Sequence, residues 1–170
     1  MNLKHFLLKN YILDKDLSTR KIERMALEIA ERNTDADNMV LAGVQDNGCI
    51  IAAKLLPLLQ QTFTGTISTV SIHLDKRNPG EITVTPATSF DNVVVIIIDD
   101  VASSGKTLTY ALKPFLQFHP KKIQTLVLVE RTHKAFPVQA DYVGLSVATT
   151  LQEHIYVEVE DAEITGAWME

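Results

Sequence analysis

A chain of 170 residues is long enough for one domain with a full hydrophobic core. Hydrophobic residues make up 46% and charged residues 22%, the balance of a globular protein rather than a disordered one. Sixteen basic against twenty-one acidic side chains give a net charge of -5, which argues against indiscriminate nucleic-acid binding but leaves room for a local basic patch.

Cys49 is the only cysteine, so an internal disulfide is excluded, as suits a reducing compartment. The opening "MNLKHFLLKN" has too short an apolar run for a signal peptide. No apolar stretch approaches the roughly 20 residues of a membrane-spanning helix. A cytoplasmic protein without membrane attachment is expected. No spacing of histidine, cysteine and carboxylate suggests zinc.

In chain order, "DLSTRKIERMALEIAERN" places Ile22, Met25, Ala26, Ile29 and Ala30 on one helical face, with Ser18 or Thr19 as N-cap. "NMVLAGV" reads as a buried strand, "QDNG" as a turn, and "CIIAAKLLPLLQQ" as a helix that Pro57 should kink or shorten. "TISTVSIHLD" alternates at Val70, Ile72 and Leu74, the pattern of a strand with one buried face. "KRNPGEI" is a loop, and "VTPATSFDN" holds a short strand or a further loop. Val93 to Ile98 form a strand, Ala102 to Gly105 a loop, and Lys106 to Phe118 a helix kinked at Pro114. "KIQTLVLVE" is a strand, "RTHKAFPVQADYVG" is loop-rich and ends in a short strand, and "HIYVEVE" alternates again. This order predicts an α/β fold, a mostly parallel twisted sheet flanked by helices. Ligands of such sheets bind beyond the carboxyl ends of the strands.

The stretch "VVVIIIDDVASSGKT", Val93 to Thr107, carries the chemistry. Its Gly-Lys-Thr ending suggests a nucleoside-triphosphate loop, but Asp100 stands where that motif needs its first glycine. A carboxylate there would repel the phosphate it should cradle. The better reading divides the work. Amides and hydroxyls of Ala102 to Thr107 can hold one phosphate monoester at a helix start. Asp99 and Asp100 suit sugar hydroxyls or Mg²⁺. Phosphate on one side and a diol on the other describe a ribose 5-phosphate. That the two aspartates merely cap a helix is the bland alternative, and it leaves their place at the end of six β-branched residues unexplained.

The stretch resembles the phosphoribosyl-pyrophosphate signature of type I phosphoribosyltransferases: a hydrophobic strand, two acids, a short variable stretch, then Ser or Thr, Gly, any residue, and Thr or Ser. "ERMALEIAERN", "VLAGVQDNGCIIAAKL", "LVLVERTHKAFPVQADYVGLSVATT" and "HIYVEVE" extend the resemblance over roughly Leu13 to Glu160. They are similar, in order and spacing, to the pyrimidine-operon attenuation regulators that also act as uracil phosphoribosyltransferases. Hypoxanthine phosphoribosyltransferases share the signature and "ADYVG" but match the remainder less well.

The resemblance implies a type I phosphoribosyltransferase fold with a small hood, one domain over 1–170, the hood built mainly from 131–160 with N-terminal residues. It implies that Mg²⁺-bound phosphoribosyl pyrophosphate reacts with a nucleobase, uracil before a purine. Asp99 and Asp100 would hold the ribose hydroxyls and the metal. Val101, Ala102, Ser103, Ser104, Gly105, Lys106 and Thr107 would hold the 5-phosphate. Gln45, Asp46, Asn47 and Gly48 fall on the pyrophosphate loop, where the regulators carry Thr-Arg-Gly. Losing that arginine should cost on the order of 3 kcal/mol of barrier. If the turn is a weakened pyrophosphate loop, Asp46→Arg should raise activity. Lys76 or Arg77, in the mobile loop "LDKRNPGE", would supply a compensating cation. Val138, Gln139 and Ile155 would meet the base. The glycine of the regulators' Arg-Gly-His-Arg is here Thr132, and His133 is expected at the surface. Three functions compete: the transferase, a weakly active nucleotide-sensing regulator that binds an mRNA leader, and a distant triphosphatase. Family members are commonly dimers or larger, so at least a homodimer is expected.

Overall fold

The computed structural model describes residues 9–170, and a six-stranded sheet in the order β4-β3-β2-β5-β6-β7 forms its centre. The strands are β2 (Asn38–Val44), β3 (Thr66–His73), β4 (Thr83–Thr85), β5 (Val94–Ala102), β6 (Lys122–Arg131) and β7 (Tyr142–Val147). All neighbours are parallel except β3 and β4. The helices are α1 (Lys15–Arg32), α2 (Asn47–Thr62) and α3 (Lys106–Ala111), with a 3-10 turn at Lys113–Phe115. The mostly parallel α/β architecture expected from the order of elements is present.

The β-branched run of β5 is continuous because both faces of the sheet are covered. Val94, Ile96 and Ile98 pack with α1 and α2, alongside Met25, Ile29 and Leu55. Val95 and Ile97 point the other way, toward Leu108, Ala111 and Phe115. Among the described residues, no helix is long and apolar enough to cross a membrane.

A second sheet, antiparallel and three-stranded, runs β1-β9-β8, from β1 (Asn10–Asp14), β8 (Ile155–Glu160) and β9 (Glu163–Met169). Of the segment 131–160, expected to form most of a small hood, β7 belongs to the main sheet and β8 to this second sheet, whose central strand β9 lies beyond Glu160. Neither β1 nor β9 stands out in the sequence, because polar residues and glycine interrupt their alternation.

Several boundaries differ from expectation. α1 starts four residues early, since Asp14 caps it by accepting from the Leu17 N–H at 2.7 Å. Ser18 and Thr19 lie inside the helix and donate to the carbonyls of Asp14 and Lys15. Pro57 does not shorten α2, which runs on to Thr62. α3 ends at Ala111 rather than Phe118, and Pro114 sits in the 3-10 turn that follows. β5 continues through the two acids to Ala102, because β6 pairs with it along that length.

Asp14→Ala removes the cap and is expected to destabilise the protein by about 1 kcal/mol, read as a lowered midpoint in urea at unchanged slope.

Candidate active site

The site lies where the direction of winding reverses. The chain leaves β2 toward β3 on one side, and leaves β5 toward β6 on the other. The crevice between the carboxyl ends of β2 and β5 is the switch point of such a sheet. The turn Gln45–Gly48 follows β2, and the loop Ser103–Gly105 follows β5.

β2 pairs with β5 only as far as Gly43 opposite Ile98, so Asp99 and Asp100 project past its end. The Asp99 side chain is 1% exposed and that of Asp100 14%. Lys76 donates to Asp99 Oδ1 at 2.9 Å and lies 3.6 Å from Asp100 Oδ1. Asn47 Nδ2 donates to Asp100 Oδ2 at 2.8 Å and, at 3.4 Å, to the carbonyl of Val157. Burial first, and then the Asp100 carboxylate, push the Asp99 pKa up to about 7, with Lys76 opposing both. Burial pulls the Lys76 ammonium down, but the two carboxylates outweigh it and its pKa stands above the usual lysine value.

The loop after β5 turns at Gly105, whose φ of +82° favours glycine, and a Cβ there would lie 3.2 Å from the carbonyls of both Phe136 and Val138. The same segment braces the loop by hydrogen bonds, since the amides of Ala135 and Phe136 donate to Ser104 O at 2.9 and 3.0 Å. Ser104 Oγ accepts from the Lys106 amide at 3.2 Å. α3 has only six residues. What this loop offers an anion is its amides and hydroxyls more than the dipole of a long helix.

The turn after β2 comes against β5 because residue 48 is glycine: a Cβ there would lie 2.3 Å from the Ile98 carbonyl. Asp46 is exposed and begins α2 without a side-chain cap bond.

A cavity of about 360 Å³ joins these parts. Asn47, Lys76, Asp100 and Val101 line one side, Ala102 to Leu108 the floor, and Ile155, Tyr156 and Val157 of β8 the far wall. Of the residues singled out in the sequence, Asn47, Lys76, Asp100, the whole of Val101–Thr107 and Ile155 thus meet in one place. Asp99 does not line the cavity but shares Lys76 with Asp100. Gln45, Asp46, Gly48, Arg77, Val138 and Gln139 do not line the cavity. Arg77 is exposed and meets the site only through its carbonyl, which accepts from Lys106 Nζ at 3.4 Å. Val138 packs on the core beneath the loop, and Gln139 is exposed. Tyr156 and Val157 were not singled out in the sequence; the alternation of "HIYVEVE" was their signal, but it does not say which sheet the strand joins.

Residues 10–162 match the sequence profile of the phosphoribosyl transferase domain. The chain belongs to the phosphoribosyl transferase family. A bifunctional protein PyrR of Staphylococcus saprophyticus is 32% identical over 166 residues, covering 92% of this chain and 95% of that protein. The bifunctional protein PyrR of Streptococcus mutans is 34% identical over 161 residues, covering 89% and 91%. Among solved structures, a hypoxanthine phosphoribosyltransferase of Trypanosoma cruzi gives a TM-score of 0.72 at 20% identity over 82% of each chain. One from Staphylococcus aureus gives 0.71 at 16% identity, over 91% of this chain and 86% of that one. At such identities the structural likeness speaks for the fold alone, and it is that of the type I phosphoribosyltransferases. This phosphoribosyltransferase is therefore an enzyme of pentosyl transfer, and the stretch Val93–Thr107 lies at the switch point of its sheet.

Asp99 holds its proton to higher pH folded than unfolded, so its contribution disfavours the folded state increasingly as pH rises from about 4 to about 7. Without substrate or metal, the melting temperature of Asp99→Asn is expected to gain on that of the unaltered protein across this window, and the gap should level off above it.

Proposed function

We propose that the protein joins a nucleobase, uracil by its likeness to the pyrimidine regulators, to the ribosyl group of phosphoribosyl pyrophosphate. The observation that carries this reading is the single cavity in which Lys76, Asp100 and the loop Ser103–Thr107 face β8. The 5-phosphate sits on that loop, held by its amides and by the hydroxyls of Ser103, Ser104 and Thr107. The ribose hydroxyls donate to Asp99 and Asp100. The bond from the base nitrogen to C1 forms as the bond from C1 to the pyrophosphate oxygen breaks; pyrophosphate leaves with the electron pair, and the proton of the base N–H passes to the departing pyrophosphate or to water. Fixing both reactants beside the loop supplies most of the catalysis, as positioning. Ile155 and Val157 offer an apolar wall to the base, with Val138 and Gln139 on the segment that braces Gly105.

Asp99 and Asp100 would also hold Mg²⁺, which when bound neutralises charge on the pyrophosphate. The fit is supported by Asp99 Oδ2, a buried carboxylate oxygen without a hydrogen-bond partner among the described residues. No three metal-ligating side chains cluster among those residues, so substrate oxygens and water would complete the shell.

One observation favours a second reading, a nucleotide-responsive regulator of pyrimidine genes that turns over slowly and binds an mRNA leader, acting as a homodimer or larger assembly in the cytoplasm. The turn after β2 offers the departing pyrophosphate an amide, Asn47, where the regulators carry arginine. Asp46 is exposed and lines no part of the cavity, so an arginine belongs at position 47 rather than 46.

With Mg²⁺ and phosphoribosyl pyrophosphate, pyrophosphate release is expected with uracil and not with hypoxanthine, guanine, adenine or orotate. Asp100→Ala should lower it at least 10²-fold. Tight binding of uridine monophosphate without release would select the regulator, and hydrolysis of ATP alone would defeat both readings. Asn47→Arg is expected to raise turnover about tenfold or more, and Asp46→Arg to leave it within about twofold.

A further inference from the structure

We infer that His73 is a positioning residue that sets the pyrophosphate turn from outside the cavity, an inference that rests on the phosphoribosyl-transfer reading above. His73 ends β3, immediately before the loop that carries Lys76. Both of its ring nitrogens are engaged. Nδ1 lies 2.6 Å from Gln45 Oε1, and Nε2 lies 2.6 Å from Thr85 Oγ1. A carbonyl oxygen only accepts, so Nδ1 donates to Gln45, while Nε2 pairs with the Thr85 hydroxyl, which can donate or accept. The imidazole is thus a strut between the turn after β2 and strand β4.

Gln45 is gripped at two points, both on β3. Its amide donates to the Ile72 carbonyl at 3.0 Å, and its side chain meets His73. The next residue, Asp46, is exposed and its side chain makes no capping bond. Asn47 follows, and its amide reaches Asp100. The direction of Asn47 therefore depends on Gln45, which the Ile72 carbonyl and the His73 ring hold together. A purely structural role explains less. β4 already pairs with β3 through Ser71, Ile72 and His73. The strut joins a half-buried ring to two exposed side chains, Gln45 and Thr85.

Replacing the ring should loosen the pyrophosphate turn and spare the 5-phosphate loop, which follows a different strand. Calorimetric titration of the full chain with Mg²⁺-phosphoribosyl pyrophosphate, Mg²⁺-pyrophosphate and uridine monophosphate separates the two. His73→Leu is expected to weaken the two pyrophosphate-bearing ligands about tenfold and to leave the monophosphate within about twofold. His73→Asn, whose amide N–H takes the place of Nδ1–H, should recover most of the loss. Thr85→Val, which removes only the far anchor, should fall between. Thermal melts of each variant check that it folds. If the unaltered protein binds neither phosphoribosyl pyrophosphate nor the monophosphate, the phosphoribosyl reading itself fails. If it binds both and His73→Leu binds them equally well, or weakens both alike, the positioning role is overturned.

Discussion

A carboxylate almost wholly removed from water must be compensated, and Asp99 governs the site on that account. An isolated buried charge is costly, so such a group takes up a proton or finds a partner. Asp99 does both in part, with a raised pKa and an ammonium 2.9 Å away. The ammonium comes from the loop after β3, which ties that loop to the end of β5. Asp100, the next residue, is held from the other side by Asn47. Two neighbouring acids thus draw both flanking connections onto one strand end.

The arrangement has a consequence for ligands. Under the proposed function, Lys76 and Asn47 occupy the carboxylates that a ribose or a metal-bound substrate would use, so binding would exchange protein partners for ligand partners. Lys76, which lines the cavity, would then be free to meet the charge of a leaving pyrophosphate. The second half of the cavity is built differently. Backbone bonds from Ala135 and Phe136 hold the loop after β5, and at Gly105 the positive φ and two carbonyls 3.2 Å from a Cβ favour glycine. One half rests on charge and is exchangeable, while the other is fixed by main chain.

Much of this was legible in the residues. The run Val93 to Ile98 had to be a strand covered on both faces, and two acids followed by Ser-Ser-Gly-Lys-Thr had to lie at its carboxyl end. Lys76 was legible as a cation in a loop near the site. Its pairing with Asp99 was not, since 23 residues separate them. The strands β1 and β9 escaped notice because their pattern is weak and their partners are distant: Tyr11 pairs with Trp168, and Tyr156 pairs with Trp168 from the other side. His73 looked like one more residue of an alternating strand, and only contact with Gln45 and Thr85 gives it a role.

By itself the sequence determined the α/β class, the covered parallel core and the signature of the sugar-phosphate corner. These follow from local periodicity and from residue types whose chemistry does not depend on distant partners. Tertiary structure decided which cation meets the acids, that Asp46 turns away while Asn47 turns in, and that β8 belongs to a separate sheet closing the cavity. Those outcomes depend on register and close approach between segments far apart in the chain, such as residue 48 against the Ile98 carbonyl, and no local pattern encodes them.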